Sequence, residues 1–193
     1  MKVNRTFTIS VEKLTSPELV KRACSTTINK DSNISLDKIY QCMHSPMRTQ
    51  IFYVSMTNIP TFVATHLVRH VTIVPFVKSN REDRGGENAD RNTPVDMDFI
   101  ANAEALINVA RKRLCRKASK ETTEVIEQLK IQMQRVDYDL AFRMVPNCIE
   151  HRNCKEKTCG FLKKFLDKNP KLCDKESLLD VNSWYVEYNK WKK

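Results

Sequence analysis

The spacing of apolar positions changes along the chain and predicts a mixture of strands and helices. Apolar and polar residues alternate in 3–10, and β-branched and aromatic residues dominate 50–56, so both segments are predicted to be strands. Segment 71–77 is predicted to be extended, and the charged segment 82–94 to be a loop. Apolar residues at helical spacing predict five helices: one that begins after Ser16, 35–43, 60–70, 98–117, and one capped by Ser119 that ends before Pro146.

These elements fit one domain, 1–193, of the α/β (α+β) class, in which a small sheet is flanked by long helices. With 193 residues, 41% of them apolar, the chain is long enough to bury a full core. The last part, about 147–193, is a cysteine-bearing tail of this domain. No run approaches the roughly 18 apolar residues of a membrane span, and the N-terminus lacks the apolar segment of a signal peptide. A cytoplasmic protein without a membrane partner is therefore predicted.

Segment 61–84 places polar side chains within and directly after an apolar stretch. Arg69 and His70 are costly to bury among valines and leucines unless a partner satisfies them, and a bound anion is one such partner. Ser79 and Arg81 follow, and a hydroxyl beside a guanidinium suits a phosphate. The alternative is a buried ion pair followed by a solvated loop. This segment alone leaves both interpretations open.

The chain carries 33 basic and 23 acidic residues, and the resulting net charge of +10 favours anionic partners. Nucleic acid, free nucleotides and polyanionic cofactors all meet that description, and a solvated basic surface is the alternative. Gly85, Gly86 and Gly160 are the only glycines. They cannot form a dinucleotide-binding fingerprint or a P-loop. Any dinucleotide must therefore be held in another way.

Two polar residues of the predicted helix 98–117 are candidate ligand contacts. Asn102 and Arg113 are eleven residues apart, so they would share one face of the helix about 16 Å apart along its axis. Asn108 would point roughly a third of a turn away from them. Such a face suits an extended ligand. The alternative is a solvated side on which Arg113 is one charge of the basic run 111–113.

The cysteines offer a second candidate site. Seven cysteines, an odd number, fit reduced thiols better than a disulfide framework. Four possible ligands of a tetrahedral zinc ion lie within twelve residues: Cys148, His151, Cys154 and Cys159. Reduced structural thiols and a disulfide are the alternatives. The aromatic residues that follow Gly160 would either stack on nucleic acid or pack against the protein's own core.

Two motifs follow one another along the chain. The first is Arg69-His70-Val71, seven residues, and then Ser79-Asn80-Arg81; the second places Asn102, Asn108 and Arg113 at fixed spacing. Together they resemble the motifs of the flavin-dependent thymidylate synthase family, in a short form found in phages and some bacteria. Weaker likenesses at 44–46, 60–70 and 147–160 extend the resemblance over most of the chain.

The resemblance implies a homotetramer with flavin sites shared between subunits. In that family NADPH reduces FAD, methylenetetrahydrofolate donates a carbon, and dUMP is methylated to dTMP without a protein nucleophile. By this resemblance the FAD-binding residues are His70, Asn102 and Asn108. The dUMP-binding residues are Arg69, Ser79, Arg81, Arg91 and Arg113, of which Ser79 and Arg113 also serve catalysis. Arginines would neutralise the phosphate and polarise the uracil carbonyls, while amides and imidazole bind the flavin.

The chain departs from the family pattern at several positions. Val71 stands where the signature has its last Arg, and Glu104 stands where the later motif has an Arg. The segment between Ser79 and Asn102 is also shorter than usual. Such changes leave three consequences open: a different substrate, rearranged ligand contacts, or a protein that keeps the fold and has lost the activity. Two alternatives therefore remain: modification of another pyrimidine nucleotide, and a basic, non-enzymatic nucleic-acid-binding protein that retains the fold.

Overall fold

The computed structural model describes residues 6–86 and 90–191. Within them an antiparallel sheet has the strand order β1-β2-β4-β3, with β1 (Thr8–Lys13), β2 (Ile51–Pro60), β3 (Ile73–Val77) and β4 (Pro94–Asn102). The helices are α1 (Pro17–Ile28), α2 (Leu36–Gln41), α3 (Thr61–Val68), α4 (Ala103–Arg113), α5 (Lys120–Val136), α6 (Tyr138–Arg143), α7 (Asn147–Glu150), α8 (Phe161–Lys168), α9 (Lys175–Leu179) and α10 (Val181–Trp191). Short 3-10 helices occupy Ser45–Thr49, Glu82–Arg84 and Pro170–Cys173. The predicted α/β class with a small sheet is confirmed.

One face of the sheet forms the main core because apolar residues alternate along its strands. Ile9, Met56 and Met97 lie side by side across β1, β2 and β4, and all three are buried. Helices α4 and α5 add Leu106 and Ile126 to the same cluster. The edge strand β3 joins this core through Ile73 but leaves its other side chains exposed.

A second hydrophobic cluster holds the C-terminal helices together. It comprises buried residues from Val145 onward, including Phe165, Trp184 and Tyr188. The rings of Phe165 and Trp184 lie 6.1 Å apart between centroids. The aromatic residues of the tail therefore pack in the protein's own interior, which is one of the two predicted alternatives. No helix in the described ranges combines the length and apolarity needed to cross a membrane.

The predicted helix 98–117 is wrong in its first part. Residues 94–102 form β4, which pairs with β2 on one side and β3 on the other, and the helix begins only at Ala103. Its alternate residues Val95, Met97, Phe99 and Ala101 are buried, which is the two-residue period of a strand. Phe99 also fits the helical spacing of the following apolar residues, which made the local pattern ambiguous.

The predicted helix from 119 to Pro146 is interrupted at Asp137. Ser119 caps α5 as predicted, since its Oγ accepts a hydrogen bond from the Thr122 amide at 3.3 Å. Asp137 then has an extended backbone, and its Oδ1 accepts from the Leu140 amide and so caps α6. The first strand also differs: it spans Thr8–Lys13 instead of 3–10, and positions 3–5 lie outside the described residues.

Candidate functional site

A cavity of about 860 Å³ lies between the ends of α3 and α4 and the segment that joins α7 to α8. Arg69 and His70 directly follow α3, and Asn108 and Arg113 belong to α4. All four line the cavity, together with a C-terminal wall that includes Cys148 and Phe161. The fold thus brings together four of the predicted ligand-binding residues from both sequence motifs.

Arg113 is held inside this cavity by two hydrogen bonds. Its Nε donates to His70 Nε2 at 2.9 Å, and its Nη2 donates to the backbone carbonyl of His66. The side chain is only partly exposed, and burial, together with the nearby Arg69, lowers the pKa of the guanidinium. The alternative in which Arg113 is one solvated charge of a basic run is therefore wrong. Its planar fork is fixed in direction, as recognition of a phosphate or a uracil carbonyl requires.

His70 receives the hydrogen bond from Arg113 and must be neutral to do so. Burial lowers its pKa, and the charges of Arg113 and Lys112 lower it further. Because Nε2 accepts, the ring proton lies on Nδ1 in this arrangement. The backbone of His70 is held as well, since its amide donates to the Leu67 carbonyl and its carbonyl accepts from the Ile73 amide. His70 thereby orients Arg113.

The other residues predicted to bind FAD or dUMP do not line this cavity. Asn102 caps α4 by accepting from the Ala105 amide at 2.9 Å, so it lies at the opposite end of that helix from Arg113. Asn102 was predicted to share one helical face with Arg113, and this prediction is wrong because Asn102 precedes the helix. Asn108, predicted to point elsewhere, shares the cavity with Arg113.

Ser79 and Arg81 lie at the other end of the sheet. The six residue-to-residue steps from Ile73 to Ser79 span about 20 Å at the rise of an extended strand, and the Lys78 amide donates to the Asp96 carbonyl near the start of β4. Arg81 forms a two-pronged ion pair with Asp83, at 2.9 and 2.7 Å. The Arg91 guanidinium lies 4.8 Å from the ring centre of Phe62, at the first turn of α3. Arg91 lies closer to the cavity than the other two residues, because its charge lowers the pKa of His66, whose carbonyl accepts from Arg113.

Four thiols line the cavity, and one of them was not among the predicted metal ligands. Cys115 follows α4 and joins Cys148, Cys154 and Cys159 on the wall, and all four are free thiols. Burial and the three neighbouring cysteines raise the pKa of Cys148 to about 12. No three His, Cys, Asp or Glu side chains within 6–86 and 90–191 are arranged as ligands of a metal ion. The zinc site with His151 stays a prediction from sequence spacing.

The cavity wall is strongly basic. Arg69, Lys112, Arg116, Lys117 and Lys155 line it, and none of them forms an ion pair with a residue that the structure describes. The neighbouring Arg111 is different, because it pairs with Glu150 at 2.6 Å and ties α4 to α7. Arg116, Lys117 and Lys155 were not predicted as site residues, although the sequence shows a basic run over 111–117.

No protein-family model and no curated protein matches the sequence, whereas solved structures match the fold. Thymidylate synthase X (ThyX) from Helicobacter pylori, crystallised with FAD and dUMP, has 14% identity and a TM-score of 0.54, and the match covers 69% of this chain and 99% of that one. A second crystal structure of the same enzyme with FAD and dUMP has 13% identity, a TM-score of 0.54 and coverage of 68% and 99%.

A third similar structure is that of a different enzyme. It is the UMP/dUMP methylase PolB from Streptomyces cacaoi with 5-Br dUMP, at 15% identity and a TM-score of 0.58, with coverage of 72% of this chain and 94% of that one. At such low identity these likenesses establish the fold. Nearly the whole of each similar chain is matched, so close to a third of this chain has no counterpart in them.

Proposed function

We propose that this protein is a flavin-dependent thymidylate synthase that converts dUMP to dTMP. Methylenetetrahydrofolate donates the carbon and NADPH the electrons. One observation carries the proposal: Arg69, His70, Asn108 and Arg113, from two separate motifs of the family that the sequence resembles, line one cavity. The likeness of the fold to thymidylate synthase X in complex with FAD and dUMP supports it.

The cavity suits FAD in size and chemistry. Its volume of about 860 Å³ lies within the range of about 300–1,000 Å³ that ligand pockets have. Asn108 offers an amide, Leu162 offers an apolar side chain, and the unpaired cations suit a pyrophosphate. Bound FAD, once reduced by NADPH, would supply the hydride that completes the methyl group. Because the chain lacks a glycine-rich phosphate loop, side chains must hold the cofactor.

Arg113 and Arg69 are the proposed contacts of dUMP within the cavity. The Arg113 guanidinium is already oriented by His70 and the His66 carbonyl, so less freedom is lost when it binds a nucleotide. Its remaining donors can polarise a uracil carbonyl or bind the phosphate. The family resemblance also assigns His70 to FAD, and in this structure its Nε2 is engaged by Arg113 while Nδ1 carries the proton.

We propose that the complete site forms between subunits of a homotetramer. Ser79 and Arg81 lie near the start of β4, about 20 Å along β3 from Ile73, so we expect them to reach a nucleotide in the cavity from another copy of the chain. The edge strand β3 supports such assembly because its apolar side chains are exposed. Val71 is 96% exposed and Phe76 52% exposed. We call the set Val71, Val74, Phe76 and Val77 the β3 apolar surface.

A ribonucleotide substrate is the second candidate. The structural similarity to a UMP/dUMP methylase favours it, as does Val71, which replaces a signature arginine and is fully solvent-facing in this chain. Either substrate presents the same phosphate and the same uracil ring to Arg113. The two differ at the 2′ position of the ribose.

Equilibrium binding tests the proposal. The purified protein is titrated with FAD while the flavin spectrum is followed, and the FAD complex is then titrated calorimetrically with dUMP and with UMP. We expect saturable FAD binding and tight binding of dUMP to the complex. Tighter binding of UMP would favour the second candidate. A protein that takes up no FAD but binds DNA or RNA with strong salt dependence would contradict both.

A further inference from the structure

Three unpaired cations lie on the side of the cavity formed with the C-terminal helices. Arg116 and Lys117 follow α4, and Lys155 lies in the segment between α7 and α8. None of the three forms an ion pair with a described residue, and Glu156 is the only acidic residue in the described wall. Three cations on one concave wall repel each other, so an anion that bridges them is favoured.

Arg116 is positioned by the C-terminal part of the chain. Its guanidinium carbon lies 4.7 Å from the ring centre of Phe161, the first residue of α8, and Phe161 itself is buried. Stacking on an aromatic ring fixes the guanidinium plane and leaves its edge donors available. A planar fork in a fixed orientation suits a phosphate oxygen pair. Lys155 and Lys117 add point charges to the same cavity wall.

We infer that Arg116, Lys117 and Lys155 form a subsite for the pyrophosphate group of a nucleotide. The inference rests on the proposed function and extends it, because Arg69 and Arg113 already account for a single phosphate. A pyrophosphate spans two adjacent phosphorus centres and spreads its charge over both, which matches three cations better than a monophosphate does. Two ligands carry this group: FAD, through its internal pyrophosphate, and a nucleoside diphosphate such as dUDP.

Calorimetric titration of the full-length protein with inorganic pyrophosphate and inorganic phosphate tests the subsite directly. We expect the wild type to bind pyrophosphate at least about tenfold more tightly than phosphate, the effect of one further charge-assisted contact. The triple variant Arg116→Ala/Lys117→Ala/Lys155→Ala should lose that preference. Equal affinities of the wild type for the two anions, or a preference that survives in the triple variant, would overturn the inference.

A matched control removes two lysine charges from α8, the helix whose first two residues line the cavity. Lys163 and Lys164 are exposed on α8 and do not line the cavity. The variant Lys163→Ala/Lys164→Ala should keep the pyrophosphate preference. If it loses the preference as the triple variant does, the effect comes from overall charge and the subsite is wrong. Equal denaturation midpoints of both variants and the wild type verify that all are folded.

Two further titrations identify the source of the pyrophosphate. If FAD is the ligand, the wild type prefers FAD over FMN and the triple variant does not. If a nucleoside diphosphate is the ligand, the wild type prefers dUDP over dUMP and the triple variant does not. Failure of the proposed function is distinguishable: neither FAD nor dUMP then binds, while the preference for inorganic pyrophosphate over phosphate persists in the wild type.

Discussion

The pair formed by Arg113 and His70 is the smallest unit on which the candidate site depends. The guanidinium has two fixed acceptors, the imidazole and a backbone carbonyl, and both come from the end of α3. A charged donor to a neutral acceptor in a partly buried site is a strong hydrogen bond. The two motifs of the sequence therefore meet in one physical contact.

Replacement of Arg113 should weaken nucleotide binding. Arg113→Ala removes a charge-assisted contact worth about 1.5–3 kcal/mol, so the affinity for dUMP of the FAD-loaded protein should fall by about one to two decades. Arg113→Lys should restore little of it, because a point charge cannot reproduce a planar fork. Calorimetry measures both. Arg135→Ala, an exposed arginine on α5, is the control, and equal dUMP affinities for Arg113→Ala and the wild type would mean that the cavity is not the nucleotide site.

The lowered pKa of His70 predicts a pH-dependent stability. Its ordinary value is 6.5, and burial with the facing charges of Arg113 and Lys112 places the folded value below that. As pH falls below about 6.5 the unfolded state takes up a proton that the folded state resists, so stability is lost until the folded pKa is passed. Above pH 6.5 the contribution of His70 is constant.

Urea unfolding at pH 5 to 8 measures this contribution. His66 and His151 also have lowered pKa values and add losses of the same sign. His70→Asn keeps an acceptor for Arg113 without a titratable ring. The free energy of unfolding of this variant should therefore decline less between pH 7 and 5 than that of the wild type. Parallel declines in the two proteins would show that His70 titrates normally.

At the scale of elements, Asp137 decides where one helix ends and the next begins. One of its carboxylate oxygens binds Lys13 Nζ at 2.7 Å and the Tyr40 hydroxyl at 2.9 Å, and the other caps α6. The residue is only 7% exposed. This carboxylate joins β1, α2 and α6, which are far apart in sequence.

Asp137→Asn should destabilise the fold by about 3 kcal/mol, because it leaves the mostly buried Lys13 without its counter-charge. The loss should appear as a lower urea midpoint with an unchanged slope. Glu124→Gln is the control, since it breaks an exposed ion pair with Lys120 and should change stability by at most about 0.5 kcal/mol. If the two variants were equally stable, the Asp137 network would not contribute to folding.

Elements with a local signal were predicted well from the sequence, and those decided by distant partners were not. The cap at Ser119 is set by neighbouring residues, and it was predicted. Strand β4 was missed because its identity depends on pairing with β2, whose register partners lie 34 to 51 residues earlier. The same holds for the cavity. Its motif residues were predicted, whereas Cys115, Arg116 and Lys155 meet only through tertiary packing.

At the scale of the whole molecule, the chain presents an apolar edge strand beside a basic cavity. The four side chains of the β3 apolar surface are between 42% and 96% exposed, and exposed apolar side chains close together are typical of protein–protein interfaces. Ser79 and Arg81, which belong to the same proposed site, lie about 20 Å along β3 from Ile73. Both observations favour assembly through β3.

Val74→Asp should weaken that assembly without unfolding the subunit. Val74 is 55% exposed on the β3 apolar surface, so a carboxylate there is tolerated in the free subunit and disfavoured in an apolar interface. Light scattering should show a tetramer for the wild type and smaller species for the variant. Leu179→Asp is the control, because Leu179 is 85% exposed on α9, and it should stay tetrameric. A monomeric wild type that is fully loaded with FAD would contradict a shared site.

A single-turnover reaction tests the proposed function most directly. The FAD-loaded protein is reduced by NADPH without oxygen, excess NADPH is removed, and dUMP is added with methylenetetrahydrofolate. Our account predicts that the oxidised flavin absorbance returns and that one dTMP forms per flavin oxidised, with tetrahydrofolate as the other product. UMP in place of dUMP measures the second candidate in the same way. A reduced flavin that stays reduced with both nucleotides, or a protein that yields dTMP without any FAD bound, would contradict the account.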